Sequence, residues 1–427
     1  MARIAARRKT SIRSASSKFE KKRDVIVDAA TRLLDQKGLG GMNLADVSSA
    51  LNLLPTSLLY YFPNKEDLAV ACFLKAIKRY ETFFSVAELG ETLQERLSLC
   101  LRSFFNFALA VRIGKEAPLA SFSDLRPLGS PKVFEAYNSM FRQARSACFS
   151  SSYCDLDKPY RNARTHLLIQ LMLWSKSWLT CCEPEHFPRA TARLTDILAN
   201  GIAAPSVRPL RFPSLIAPEA HSGSPKSAQG APLSREDFLQ AATMLINDQG
   251  YVGASVERIS AALNVTKGSF YHHLDTKDEL VGACFHRSVD IILSAFRDAE
   301  ADNDRAIDIL VSATSALVQR QLDGSSPILH TFALASVPAS MRREALGRYD
   351  RVTYRIASLI CDGVADGSIR PIDTNIAAHC VTSMINAAAE LHLFAKGASS
   401  LNCADLFVRP LFTGLFDHDG NAQITKT

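Results

Sequence analysis

The sequence of 427 residues lacks the features that mark membrane, secreted and disordered proteins. The apolar stretch at residues 167–179 is interrupted by polar side chains and is shorter than the roughly 18 residues that cross a membrane. No apolar signal-peptide core stands near the N-terminus. With 47% hydrophobic and 22% charged residues, the composition is typical of a globular protein, and the length predicts about two to four domains. We therefore expect a cytoplasmic protein without a membrane contact.

Motifs for catalysis and for metal binding are also missing from the sequence. The ten cysteines are scattered, with no Cys-x-x-Cys pair and no histidine at zinc-finger spacing. No phosphate-binding loop, nucleophile elbow or His-Glu-x-x-His motif is present. The adjacent His272 and His273 would point apart on a helix, which disfavours a metal pair. We expect no enzyme, no catalytic residue, no cofactor and no metal site.

Charge is distributed unevenly along the chain. The net charge is +6, but residues 1–23 alone hold nine basic side chains and one acidic one, so the rest of the chain is nearly neutral. A basic arm of this kind is expected to lie along a phosphate backbone or in a minor groove. A solvated tail or an organellar transit signal would have a similar composition.

An internal repeat organises the chain. Residues 29–68 align without a gap on residues 241–280, with 13 identities in 40 positions. The same register returns near the end of each half, where residues 197–202 resemble residues 410–415 at an offset of 213. The chain therefore consists of two copies of one unit of about 200 residues, named unit 1 and unit 2 below.

Residues 203–232 separate the two units. They hold six of the 18 prolines, together with serine, glycine and alanine. A segment of this composition buries too little apolar surface to fold. We predict a semi-stiff interdomain linker.

Helical periodicity runs through both units, and strand-like alternation is missing. Apolar residues recur at intervals of three and four, which predicts an all-α fold with amphipathic helices. Gly38 and Gly250 are suited to end the first helix of each unit. Aromatic residues in the later helices are expected to belong mainly to the core.

Two short helices joined by a tight turn follow in each unit. Asn43 and Ser255 stand as N-caps of the first short helix. Asn52 and Asn264 follow it, and asparagine tolerates the left-handed backbone of a tight turn. The pattern predicts a helix-turn-helix, whose second helix can enter a DNA major groove.

The second short helix and the helix after it also have recognisable starts. Pro55 suits the first helical position in unit 1, and Thr266 is an N-cap in unit 2. Residues 64–67 and 276–279 read as capping boxes that start a longer helix in each unit.

The order of these elements resembles the TetR/AcrR family of transcriptional regulators. In each unit an Ala-Ala pair leads to a glycine, at residues 29–38 and 241–250, before the helix-turn-helix. An aromatic cluster then precedes Lys-Glu-Asp-Leu at residues 65–68 and Lys-Asp-Glu-Leu at residues 277–280. The resemblance extends across all of these motifs in each unit.

The resemblance implies double-stranded DNA as a partner. It implies helix-turn-helix spans from Leu44 to Pro63 and from Val256 to Asp275. The residues implied to face DNA are Thr56, Ser57, Tyr60, Tyr61 and Lys65 in unit 1, and Lys267, Gly268, Ser269, Tyr271, His272 and Lys277 in unit 2. Hydroxyls, lysines and amides at a helix N-terminus bind phosphates, and the start of a recognition helix reaches base edges.

Unit 1 departs from the family pattern. Thr56 replaces the usual glycine, and Leu59 stands where a phosphate-contacting tyrosine is expected. Its second short helix has no charged residue, although residues 18–79 hold ten basic and seven acidic side chains. Unit 2 has the more family-like helix, but residues 233–287 hold only five basic side chains against seven acidic ones.

This difference leaves two hypotheses open. In one, each unit binds a half-site and the two contribute unequally, since an uncharged helix can still contact phosphates and thymine methyl groups. In the other, one unit has lost its DNA contact and remains as a dimerisation partner. A helical adaptor that does not bind DNA is a further alternative.

The resemblance also implies assembly and control. Family members pair through their last two helices, which correspond to residues 166–182 with 188–202 and residues 375–394 with 404–416. We expect the two units to pair within the chain as a pseudo-dimer, because a linker raises their effective concentration. A homodimer of chains with four helix-turn-helices is the alternative. The implied effector is a small apolar or aromatic molecule, and the implied effect is repression.

The predicted domain organisation follows from these features. In chain order it is a basic N-terminal arm (1–19), DNA-binding domain 1 (20–80), helical regulatory domain 1 (81–202), the linker (203–232), DNA-binding domain 2 (233–293), helical regulatory domain 2 (294–416) and a C-terminal tail (417–427).

Overall fold

The computed structural model describes residues 2–122, 125–150, 152, 155–212, 234–266, 268, 276–330, 337 and 339–417. These residues form helices and connecting segments, and among them the sole β-type pairing is an isolated antiparallel bridge between Ala203 and Ile369. The predicted all-α fold is confirmed. No helix in these ranges is long and apolar enough to cross a membrane.

The helices follow the repeat in the sequence. In unit 1 they are α1 (Ala2–Gly41), α2 (Leu44–Ala50), α3 (Pro55–Leu59), α4 (Lys65–Ala87), α5 (Leu93–Arg112), α6 (Leu125–Leu128), α7 (Pro131–Cys148), α8 (Lys158–Leu179) and α9 (Phe187–Asn200). In unit 2 the described helices are α10 (Arg235–Gly253), α11 (Val256–Ala262), α12 (Lys277–Asp302), α13 (Ala306–Asp323), α14 (Ala339–Ala365), α15 (Thr374–Ala387), α16 (Leu391–Phe394) and α17 (Arg409–Thr413).

Two helices cross predicted domain boundaries. α4 runs past position 80, and α12 runs past position 293. Each is therefore one continuous helix that spans the predicted boundary between a DNA-binding domain and a regulatory domain. Its rigidity connects the two parts mechanically.

The first helix is longer than predicted, because it includes the basic arm. It begins at Ala2 and contains one non-helical residue, Gly38, with φ 65°. No glycine or proline precedes Gly38, so nothing in the local sequence stops the helix. Residues 2–19 thus extend α1 and do not form a separate extended arm.

The repeat is retained in local contacts as well as in sequence. Gly250, the counterpart of Gly38, has the same left-handed conformation, with φ 72°. The Cys72 thiol lies 3.6 Å from the Val27 carbonyl oxygen. At the equivalent positions of unit 2, the corresponding cysteine thiol lies 3.5 Å from the Leu239 carbonyl oxygen. The first helix and the long fourth helix therefore pack in the same way in both units.

Aromatic side chains fill the core of unit 1 where α4, α5 and α7 pack together. Tyr80, Phe83 and Phe104 are buried, and their ring centroids lie between 5.5 and 6.0 Å apart. Tyr137 of α7 adds to the cluster through Phe122, at 5.1 Å. These rings form part of the core, as their helical spacing predicts, and they lie where α4 packs against α5 and α7.

The two units meet at a close crossing of their C-terminal segments. Gly201, just after α9, has φ +74°, and a Cβ there would lie 2.3 Å from the carbonyl oxygen of Phe412. Gly414, just after α17, has φ +114°, and a Cβ there would lie 2.5 Å from the carbonyl oxygen of Ala199. The two glycines occupy the same position of the repeat. Each unit thus approaches the other through the same position, as in a two-fold symmetric interface.

Main-chain hydrogen bonds extend this crossing. The Ala203 N–H donates to the Phe412 carbonyl at 2.9 Å, and the Leu415 N–H donates to the Leu198 carbonyl at 2.8 Å. Backbone pairing of this kind needs close main-chain approach, so it depends on the two glycines. The crossing is consequently part of the fold and not a loose contact between independent domains.

Two arginines, the buried Arg164 and the half-buried Arg370, add side-chain contacts across the interface. Arg164 of α8 donates through Nε to the Leu415 carbonyl at 2.8 Å. From unit 2, Arg370 donates to the Gly201 carbonyl at 2.7 Å and lies 3.1 Å from an oxygen of Asp196. These arginines satisfy carbonyl groups that the helix ends leave without partners.

The linker begins later than predicted. The Ala204 N–H donates to the Ser368 carbonyl at 2.9 Å, and Arg208 donates to the Asn200 carbonyl at 2.5 Å. Leu210 is also buried. The predicted start at position 203 is therefore wrong, because residues 203–212 contain apolar side chains that pack onto the fold. The remainder of the linker prediction, residues 213–232, lies outside the described residues.

Two histidines occupy equivalent positions in the interface. His166 of α8 stacks on Phe394 with ring centroids 4.6 Å apart and donates to the Ala387 carbonyl at 2.9 Å. His379 of α15, its counterpart in the repeat, stacks on Trp178 at 5.9 Å. Burial lowers the pKa of His166 and lowers that of His379 to about 4. Both rings are therefore neutral at pH 7.

We predict that Gly201→Ala destabilises the fold more than Gly114→Ala does. Both glycines have φ +74°, but a Cβ at position 114 would meet no atom within 4 Å. The left-handed conformation costs each variant about 1–2 kcal/mol. The backbone clash should cost Gly201→Ala roughly 1–3 kcal/mol more. Urea unfolding of the two variants measures the difference, and equal losses would show that the crossing is not close.

We predict that stability falls as the pH drops from about 7.5 to 5, because the unfolded histidines, with a pKa near 6.5, take up protons that the folded rings resist. For His379, with a folded pKa of about 4, the loss should be about 2 kcal/mol over this range. Asp373 opposes this shift, and burial outweighs it. Urea unfolding of His379→Gln should have a shallower pH dependence, whereas the exposed His186→Gln control should keep that of the unaltered chain.

Candidate nucleic-acid interface

In unit 1, α2 and α3 form the helix-turn-helix. The Asn43 side chain accepts a hydrogen bond from the Asp46 N–H at 2.7 Å and caps α2. Asn52 has φ 52° and turns the chain between the helices. Pro55 occupies the start of α3, where no N–H is needed. These three predictions from the sequence are confirmed.

Burial divides α3 and its flanking residues into two faces. Leu58 is fully buried, as is Val47 of α2, so these side chains hold the two helices together. On the other side, Leu54, Leu59 and Tyr60 are 70%, 46% and 74% exposed. An exposed apolar surface on a monomer commonly marks a binding site. The second helix of the helix-turn-helix, α3, and its flanking residues therefore present apolar and aromatic groups where a charged face would be more usual.

Four of the predicted DNA-facing residues of unit 1 lie on or just after α3. Thr56 is exposed and Ser57 is half-buried, both in the first turn. Tyr61 stacks on Phe19 of α1 with ring centroids 4.8 Å apart. Tyr60 meets the same phenylalanine edge-on at 5.7 Å. α1 thus supports Tyr61 from behind and leaves the ring of Tyr60 open to solvent.

Two of the three lysines predicted to face DNA, Lys65 and Lys277, begin the long helix of their unit. Lys65 is the first residue of α4, is half-buried, and donates from Nζ to the Gly40 carbonyl at 3.4 Å. Lys277 is the first residue of α12 and is also half-buried, and burial lowers its pKa. A cation beside a helix N-terminus adds to the positive end of the helix dipole, which suits a phosphate.

In unit 2 only part of the helix-turn-helix is described. Ser255 caps α11 by accepting from the Arg258 N–H at 3.3 Å, and Asn264 has φ 56°, as the sequence predicts. Gly268 is helical and exposed, and a Cβ there would meet only the Thr266 hydroxyl, at 3.7 Å. The other predicted residues of this helix lie outside the described residues: Lys267, Ser269, Tyr271 and His272.

Basic side chains of α1 lie close to the aromatic surface in sequence and are accessible. Lys18, Lys21 and Lys22 are exposed and flank Phe19. Arg23 lies over the ring of Phe62, with the guanidinium carbon 4.9 Å from the ring centroid. The positive charge that α3 lacks is therefore supplied by the helix that packs behind it.

One feature of this site and one of the interface between the units do not follow from the sequence patterns. The stacking of Phe19 on the tyrosines was missed because residues 1–19 were interpreted as a separate arm. The equivalent pair His166 and His379 was missed because the repeat was traced only through its best-matching segments. Extending the register of the C-terminal segments back across each unit would have found that pair.

Comparisons with known proteins agree with the repeat and the helix-turn-helices. The family model for bacterial regulatory proteins of the tetR family matches residues 26–72 and residues 238–284. The HTH-type transcriptional repressor DhaR of Mycobacterium sp. is 28% identical over 142 residues, which are 32% of this chain and 70% of DhaR. The negative transcriptional regulator IcaR of the biofilm operon icaADBC, from Staphylococcus epidermidis, is 32% identical over 63 residues, which are 14% of this chain and 34% of IcaR.

The crystal structure of AibR in complex with isovaleryl coenzyme A and operator DNA is 22% identical, with a TM-score of 0.35, and the match covers 40% of this chain and 94% of AibR. The two family matches fall on equivalent segments of units 1 and 2. Each unit therefore carries one segment that matches the model for bacterial regulatory proteins of the tetR family, and the two segments stand in tandem.

Proposed function

We propose that this protein is a repressor whose two units act as a covalent pseudo-dimer on an operator with two half-sites, and that a small-molecule effector releases it. The cytoplasm and its nucleoid are the proposed place of action. Each unit supplies one helix-turn-helix. The relatives named above as repressors support the direction of regulation.

The interface between the units is the observation that carries the pseudo-dimer. α8 and α9 of unit 1 pack against α15 and α17 of unit 2, the segments through which family members would pair two subunits. Reciprocal contacts at Gly201 and Gly414 give this pairing an approximate two-fold relation. Because the partner surface is already covered within the chain, a second chain is not needed to complete it.

The two half-sites are proposed to differ. The exposed residues of α3 in unit 1 are uncharged, which suits contacts to thymine methyl groups and to phosphates. In unit 2, the sequence places Lys267 and His272 in the corresponding helix. The two recognition helices can therefore favour different base sequences. An operator with two unlike halves is expected.

We predict that Tyr60→Ala and Tyr271→Ala each weaken specific DNA binding by about 5- to 100-fold, equivalent to the roughly 1–3 kcal/mol of a good base contact. Tyr354→Ala is the matched control, because Tyr354 is 78% exposed and belongs to α14, which is not part of either helix-turn-helix. Fluorescence anisotropy with an operator selected from random DNA at about 150 mM salt measures the affinities, a condition that weakens non-specific binding.

The outcomes separate the alternatives. If one tyrosine variant keeps full affinity, the unit that carries it does not contact DNA and serves in dimerisation. If no duplex is enriched, or if binding lacks a steep dependence on salt, the helical adaptor replaces the regulator.

We predict that light scattering gives the mass of one chain, 46.8 kDa, for the free protein. For the complex with operator DNA, we expect the mass of one chain plus one duplex. In the described ranges, the helices that correspond to the family's pairing segments already pack against each other within the chain. A stable mass of twice this value would favour the alternative of a homodimer with four helix-turn-helices.

A further inference from the structure

A cavity of about 240 Å³ lies in unit 1 between the DNA-binding helix α1 and the regulatory helices α5, α8 and α9. Its walls are mainly apolar and include Phe104, Phe107 and Phe187. A cavity of roughly 150 Å³ accommodates benzene. The volume therefore suits a ligand with an aryl or short alkyl body and a few further atoms, about 9 to 12 non-hydrogen atoms in all.

Three ionisable side chains line the apolar space, and one of them, Arg112, comes from the end of α5. Lys176 comes from α8, close to Trp178, and Asp35 comes from the last turns of α1. The Lys176 ammonium donates to the Leu119 carbonyl at 3.3 Å. In the described part of the chain no carboxylate forms an ion pair with Lys176, and burial lowers the pKa of this lysine against the opposing charge of Asp35. A half-buried ammonium without an ion-pair partner, in a mainly apolar cavity, favours an anionic ligand.

The residue equivalent to Asp35 in unit 2 connects its helix to a neighbouring segment through two hydrogen bonds. Asn247 is the counterpart of Asp35 in the repeat. Its amide donates to the Ile328 carbonyl at 2.9 Å and accepts from the His330 N–H at 2.9 Å. The first helix of unit 2 therefore holds the segment after α13 directly through one side chain.

In unit 1 this direct connection is replaced by the lysine. An ionised aspartate accepts hydrogen bonds but cannot donate one to a carbonyl, so Asp35 cannot reproduce the contacts of Asn247. Lys176 instead holds the segment after α5, through the Leu119 carbonyl. Its counterpart in unit 2 is an alanine, Ala388 or Ala389 in the two registers of the repeat, so this lysine belongs to unit 1 alone. The segment around Leu119 is thus held by the Lys176 ammonium, and a bound anion can compete with the Leu119 carbonyl for this group.

We propose that this cavity is the effector site of unit 1 and that it binds a small monocarboxylate with an aryl or alkyl body. The carboxylate pairs with the Lys176 ammonium and replaces the Leu119 carbonyl as its partner, while the body packs among the phenylalanines. Freed from Lys176, the segment around Leu119 shifts beside α1 and changes the position of the helix-turn-helix. This inference rests on the proposed function, since it names the effector class for the proposed release.

Ligand titration of the full chain tests the site. The probes are 3-phenylpropionate, the uncharged 3-phenylpropan-1-ol and the cationic 3-phenylpropylamine. Calorimetry gives the affinity, and intrinsic fluorescence reports on the cavity, because both tryptophans of the chain lie on α8. We expect the carboxylate to bind at least tenfold more tightly than the alcohol. Equal binding of the two, or preferred binding of the amine, would overturn the proposal.

Variants locate the ligand. Lys176→Met keeps the length of the side chain and removes its charge, and should weaken carboxylate binding at least tenfold. Lys158→Met, on the exposed start of the same helix, should leave it unchanged. Ala108→Phe fills the cavity and should weaken binding of the carboxylate and of the alcohol alike. Retained affinity in both cavity variants would place the ligand elsewhere and refute the site.

The consequence for DNA is measured separately. With the selected operator duplex, 3-phenylpropionate should lower the DNA affinity of the unaltered chain and not that of Lys176→Met. If the chain binds DNA and the carboxylate fails to bind or to weaken the complex, the effector inference fails and the regulator proposal stands. If the ligand-free chain binds no DNA, the regulator proposal fails, and the titrations still decide whether the cavity takes a carboxylate.

Discussion

The close crossing of the two units is the constraint on which the rest of the structure depends. At Gly201 and Gly414 the main chains approach so closely that a single Cβ would overlap backbone atoms of the other unit. This approach allows the main-chain hydrogen bonds at Ala203 and Leu415 and brings α8 against α15. The interface in turn buries His166. The relative position of the units is therefore set by backbone contacts. Substitutions of side chains alter such contacts less readily than they alter an interface made of apolar side chains.

Much of the local structure could be predicted from sequence because short-range rules determine it. Asn43 and Ser255 cap helices, Gly38 and Gly250 break them, and the two left-handed asparagines, Asn52 and Asn264, turn the chain as predicted. Each of these residues acts within a few positions of itself. The repeat supplied a second, independent instance of each signal, so the helix-turn-helix could be recognised twice.

Features that depend on distant residues were not predictable in the same way. The linker composition suggested a start at position 203, but Ala204 pairs with Ser368, a contact that no local rule announces. Phe19 was assigned to an arm because its neighbours are basic, whereas its ring packs on Tyr61, which lies beyond α3 and is distant in sequence. Similarly, Lys176 has no motif around it. That Lys176 lines a cavity follows only from the packing of α1, α5 and α8 around the same space.

When two units are joined in one chain, the residues at equivalent positions of the two units can change independently of each other. In a homodimer every substitution occurs in both subunits, so the two DNA-binding helices and the two effector cavities stay identical. Here the chain can keep the crossing at Gly201 and Gly414 while other equivalent positions diverge. Asp35 faces a cavity with Lys176, whereas its counterpart Asn247 holds the neighbouring segment directly. The uncharged α3 differs likewise from the lysine- and histidine-containing helix of unit 2. Divergence of this kind is what the proposed response to a ligand through unit 1 and the proposed operator with two unlike halves require.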